Sequence, residues 1–148
     1  MTTGPGSVVL VAELYPETLL PGGPAADAER ACSGAATVTI DPTPHGTFST
    51  AVARFEISLI GCPPGIVLTN VFLSRTDAGE SEHFDDMWIG SDLGETLVAS
   101  GGGVFRSINE GVPESRAQAV IAKPTDFGVR AMSANNPFGF LKGQLRLR

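Results

Sequence analysis

The chain is poor in charge. Asp, Glu, Lys and Arg make up 18% of its 148 residues, with 10 Lys and Arg against 16 acids and a formal charge of −6. So few cations cannot neutralise a nucleic-acid backbone, which removes nucleic acid as the default partner. Histidine occurs only twice, as His45 in a proline-rich turn and His83 in an acidic stretch. Copper or zinc catalysis on a β scaffold needs several imidazoles, so none is expected. No apolar run approaches the roughly 20 residues of a membrane-spanning helix, so no membrane span is expected. There is no G-x-S-x-G elbow, and no Lys follows the Gly-rich "SGGGVF" at 100–105. Nothing positions a triad or a carboxylate pair. The expectation is a protein that is not an enzyme.

The opening "MTTGPGSVVLVAEL" lacks a basic n-region, an apolar h-region and a small-residue cleavage site. Two readings stay open: a signal removed from a longer precursor, or a protein assembled without export. Cysteine is equally sparse, with only Cys32 and Cys62. Cys32 precedes the strand-like "SGAATVTID" and Cys62 follows "ARFEISLIG", so antiparallel neighbours would bring both to one edge. A disulfide there is the expectation, worth about 3–4 kcal/mol in the chain-entropy model; two free core thiols are the alternative. Neither cysteine has the neighbours that a metal or redox role requires.

What the chain does have is turns and alternation. Its 18 Gly and 11 Pro cluster as "PGGP", "DPTPHG", "GCPPG" and "NNPFG". Between them period-2 patterns recur and helical periods are scarce. Strands are predicted at 7–15, 34–41, 46–59, 65–74, 87–89, 97–99, 104–108, 117–122, 127–133 and 140–147. In "TFSTAVARFEISL" the apolar set changes face around Val52–Phe55, which suggests a bulge. Strands so spaced predict a sandwich or a barrel rather than βαβ units. The expected form is an all-β, antiparallel Greek-key β-sandwich of one domain, 1–148, with a long acidic insertion at 75–95.

That insertion is the candidate ligand segment. Asp77, Glu80, Glu82, Asp85 and Asp86 supply the oxygens that Ca²⁺ takes. Their spacing follows no EF-hand or RTX pattern, so a solvated loop is expected and a weak Ca²⁺ site is the alternative; no other cofactor is expected. Trp88 beside it is read as an anchor of the loop before a stacking platform. Lys142, Arg146 and Arg148 form a basic end that could meet the acidic stretch of another molecule.

The stretch "AVIAKPTDFGVRAMSANNPFGFLKGQLRL" resembles the end of the CHRD domain, the chordin-type module of secreted bacterial proteins. That family closes with a strand, Asn-Pro-x-Gly, and a basic residue before Gly-Gln-Leu. The matching positions are Asn136, Pro137, Gly139, Lys142, Gly143, Gln144 and Leu145. "GAATVTIDPTPHGTFSTAVARFEIS" is similar to its first hairpin. The usual His-x-His-Gly segment is absent, since the matching strand reads "NVFLSRTD", and Arg130, Met132 and Ser133 stand where a further His is common. The resemblance implies an Ig-like sandwich in an extracellular or cell- or particle-surface setting, and no reaction. The expected function is a non-catalytic binding or matrix module with a protein partner. The alternative is a structural subunit that self-assembles through edge strands and termini.

Overall fold

A computed structural model of the chain describes residues 6–16, 28–45, 50–75, 87–136 and 139–148. Among the described residues nine strands make up the wall: β1 Val8–Pro16, β2 Ser33–His45, β3 Thr50–Cys62, β4 Val67–Arg75, β5 Met87–Leu97, β6 Gly101–Val112, β7 Phe127–Ser133, β8 Leu141–Gln144 and β9 Arg146–Leu147. They run antiparallel in the order β5-β4-β7-β8-β1-β2-β3-β6, with β9 also on β1. One sheet holds β9, β1, β2, β3 and β6; the other holds β5, β4, β7 and β8, and joins the first through Tyr15 and Pro16 of β1. The result is a nearly closed antiparallel barrel.

Alternation selects the inner face. Leu10, Ala12 and Leu14 of β1 point inward with Ala36, Val38 and Ile40 of β2, and with Ala53, Phe55, Ile57 and Leu59 of β3. The other sheet contributes Val71, Leu73, Val129, Ala131 and Leu141 to the same core. The face change expected within β3 does not occur: the inward set continues from Ala51 to Leu59, with Val52 covered as well. The nearby register shifts place their extra residues on the partners, in β6 opposite Ala51 and Ala53 and in β2 between Asp41 and His45.

One predicted strand is a helix. Residues 117–122 belong to α1, Glu114–Ala122. "AQAVIA" alternates, but Pro113 before the first turn and Glu114 within it suit a helix start. The helix buries Ala117 and Val120, an i,i+3 pair that a strand would split between faces. Of the strand predicted at 97–99, Leu97 is the last residue of β5 and residues 98–99 lie outside any strand.

The cysteines do pair. Cys32 and Cys62 form a disulfide with Cα atoms 4.3 Å apart at the outer ends of β2 and β3, where Ser33 faces Ile60. The C-terminal motif is equally structural. Gly143 lies where a Cβ would fall on the Glu13 carbonyl oxygen, so only glycine lets β8 approach β1 so closely. The Gln144 amide donates to the carbonyls of Thr125 and Phe127, both at 2.8 Å, and Leu145 is fully buried. Lys-Gly-Gln-Leu therefore closes the barrel.

Candidate functional site

The acidic residues Asp77, Glu80, Glu82, Asp85 and Asp86 lie outside the described residues, as does His83. Among the described residues no cluster of three or more His, Cys, Asp or Glu is placed to hold a metal, and no helix is long and apolar enough to cross a membrane.

Trp88, at the start of β5, is an anchor. Its ring lies 5.7 Å from that of Phe127, and its indole N–H donates to the Arg116 carbonyl at 3.1 Å. The guanidinium groups of Arg116 and Arg75 lie 4.9 and 5.4 Å from the ring centroid. Arg116 also donates to the carbonyl of Trp88 at 2.7 Å, which clamps α1 to β5.

That clamp is one of three along the same edge. The Gly90 carbonyl accepts from the Asn109 amide at 2.7 Å, and the Asp92 carbonyl from the Ser107 hydroxyl at 2.7 Å. Ser107 donates there, so Ser91 is the donor in the close Ser91–Ser107 hydroxyl pair. Side chains of β6 and α1 thus occupy carbonyls 88, 90 and 92 of β5, where a backbone ladder would have closed the barrel. This blunts β5 as an edge for strand addition.

A second polar cluster holds the opposite end. Glu29 sits in a short 3-10 turn, Ala28–Ala31, and is only 1% exposed. Its carboxylate accepts from Ser133 at 2.5 Å, Asn136 at 2.7 Å and Asn135 at 3.1 Å. A buried carboxylate needs such donors. The Asn-Asn pair of the final hairpin therefore ties that turn to the wall, and Gly139, at φ 127°, re-enters it through an N–H to the Asn136 carbonyl.

The remaining candidate is the outer face of β9, β1, β2, β3 and β6. Register places Arg146, Val11, Thr37, Glu56 and Arg106 in one row across the strands. The next row is Val9, Thr39, Arg54 and Ile108, and Arg148 joins it through its backbone N–H, which donates to the Val9 carbonyl at 3.1 Å. Thr37, Thr39, Arg54, Glu56, Arg106, Ile108 and Arg148 line a groove of about 450 Å³. Arg106 pairs with Glu56 at 3.0 Å. Arg54 and Arg148 make no side-chain hydrogen bond or ion pair among the described residues. Thr39 is only 5% exposed, yet its hydroxyl likewise has no partner among them. Two rows thus carry four arginines and one glutamate on a chain of net charge −6. The far end of the face is more apolar, with exposed Tyr15 and Ile60 beside a second hollow of about 290 Å³, and exposed Val104 next to it on β6 opposite Ser58.

Of the residues singled out in sequence, Arg148 lies in the groove and Arg146 stands on its adjoining row. Lys142 sits on β8 opposite Tyr15 and Arg130, and Trp88 is at the α1 end of the barrel. The basic end expected from 142–148 is therefore divided between two strands. Nor do the described strands at 8–16 and 141–147 extend outward, since both are paired within the wall. Arg54, Arg106 and Thr39 were missed. Alternation put Arg54 and Glu56 on one face, but only cross-strand register brings Thr37, Thr39 and Arg106 beside them. No family model, curated protein or solved structure matches the chain.

Proposed function

We propose that the chain is a non-catalytic binding module of the extracellular kind, working through the outer face of β1, β2, β3 and β6. The observation that carries this reading is the groove, where two arginines and a buried threonine hydroxyl are left without described partners. Buried polar groups are otherwise hydrogen-bonded, so the Thr39 hydroxyl leaves a place for an outside partner, and the two exposed arginines beside it add donors for an anion. The disulfide suits an oxidising compartment. The resemblance to the CHRD domain, with its Ig-like Greek-key sandwich, is carried forward in the same proposal. It agrees with a scaffold whose end motif is given over to closure.

A self-assembling subunit is the second reading, and it draws on the more apolar end of the same face, where Tyr15, Ile60 and Val104 are exposed on β1, β3 and β6. One experiment addresses both. The labelled chain is added to the insoluble extracellular material of the producing cells, beside an Arg54→Gln/Arg106→Gln variant. Saturable binding by the parent, reduced at least tenfold in the variant, supports the module. Equal binding by both overturns it. A purified chain that sediments as large particles before any material is added belongs to the second reading.

A further inference from the structure

We infer that the groove binds an acidic saccharide, a sugar unit carrying a carboxylate or sulfate; this rests on the binding-module reading and names its ligand. Guanidinium groups recognise oxyanions through paired N–H donors, and Arg54 and Arg148 have theirs uncommitted within the described structure. Anion binding alone would not need the rest of the lining. Thr37 and Thr39 add hydroxyls that donate and accept, and Glu56 adds a carboxylate acceptor held by Arg106. A site with cations, hydroxyls and an acceptor side by side suits a ligand bearing both an anion and hydroxyl donors. Ile108 offers an apolar contact for a ring face, and the volume of about 450 Å³ falls in the range of small-ligand sites.

An acidic peptide fits less well. Peptides gain affinity on sheets by adding a strand to an edge. The groove lies on a face, where the backbone groups of β2 and β3 are committed to ladders on both sides. The edge strand nearest the groove, β6, faces β5 across the seam of the barrel, where its Ser107 and Asn109 side chains already bond the β5 carbonyls. A peptide would also present few hydroxyls to Thr37 and Thr39, and its acidic side chains would meet Glu56 with nothing to donate. Thr39 is the sharpest sign. A hydroxyl that is 5% exposed and lacks a described partner is satisfied by a group that reaches the groove floor.

The test is titration calorimetry of the full chain with polygalacturonate, poly-L-glutamate and neutral dextran, repeated with sulfated dextran. Polygalacturonate or sulfated dextran is expected to bind saturably, poly-L-glutamate at least tenfold more weakly, and neutral dextran not at all. Binding by only one of the two anionic glycans identifies carboxylate or sulfate as the source of the charge. Arg54→Gln and the near-isosteric Thr39→Val should each weaken binding about tenfold, with thermal unfolding checking that each variant folds. Equal binding of poly-L-glutamate overturns the saccharide assignment, as does an unchanged affinity in Thr39→Val. If neither anionic glycan binds while Arg54→Gln/Arg106→Gln still abolishes capture on extracellular material, the saccharide falls and the module stands. If that capture is insensitive too, both fall.

Discussion

Two groups of arginines, one around Trp88 and one in the groove, have opposite surroundings. Arg75 and Arg116 lie over the Trp88 ring, and Arg116 also donates to the Trp88 carbonyl while Trp88 donates back to its own. Arg54 and Arg148 lie in the groove with no described partner for their guanidinium groups. Charge is therefore a poor guide to function here. A cation saturated by carbonyls and a ring is part of the frame, whereas one without a described partner beside a buried hydroxyl is what the proposed binding role draws on. The same distinction holds among the acids: Glu29 is saturated by three donors, while Glu56 shares one contact with Arg106 at the surface.

The contrast is broken most severely at Glu29. Replacing it with Ala leaves Ser133 and Asn136 as buried donors without their acceptor, and the loss should be about 3 kcal/mol. Glu29→Gln should cost less, because one oxygen still accepts. Denaturant unfolding monitored at equilibrium reads both. An Ala variant within about 0.5 kcal/mol of the parent would mean that the cluster does not hold the turn to the wall.

A smaller effect separates the arginines directly. Arg116→Ala removes the donor to the Trp88 carbonyl and the cation over the ring, and should destabilise by about 1–2 kcal/mol. Arg54→Gln should change stability by no more than about 0.5 kcal/mol, because it breaks no described contact. The comparison collapses if the two variants unfold alike.

These roles were unequally legible in the sequence. The β character, the 127–133 strand and the disulfide follow from local pattern, because period-2 alternation and strand-end cysteines need only near neighbours. The helix at Glu114–Ala122 was hidden by an alternation that a short apolar segment shares with a strand. Glu29 was unreadable, because its partners lie more than a hundred residues away at Ser133, Asn135 and Asn136. The groove was half legible: Arg54 with Glu56, and Thr37 with Thr39, fall on shared faces by alternation. Their meeting depends on the β2–β3–β6 register, and register is a property of strand pairs.

The smallest expected effect tests the far end of the same face. The Tyr15 hydroxyl donates to the Glu13 carboxylate at 2.6 Å. That hydrogen bond, then the neighbouring negative charge, hold the Tyr15 pKa above its usual 10.0. The raised value means the folded state keeps its phenol proton where the unfolded chain has lost it. The contribution to stability is thus fully present below pH 10 and is lost as pH rises through the folded pKa. Tyr15 is the chain's one tyrosine, so phenolate absorbance reports it alone. Glu13→Gln should lower its midpoint, since it removes the carboxylate acceptor and the charge together. Arg54→Gln should leave the midpoint where it is, because Arg54 stands three rows along the face, about 20 Å at strand spacing, and salt screens exposed charges over such distances. A midpoint that moves with Arg54→Gln would join the two ends into one electrostatic unit, and the arginine groove could then no longer be treated as separate from the apolar end.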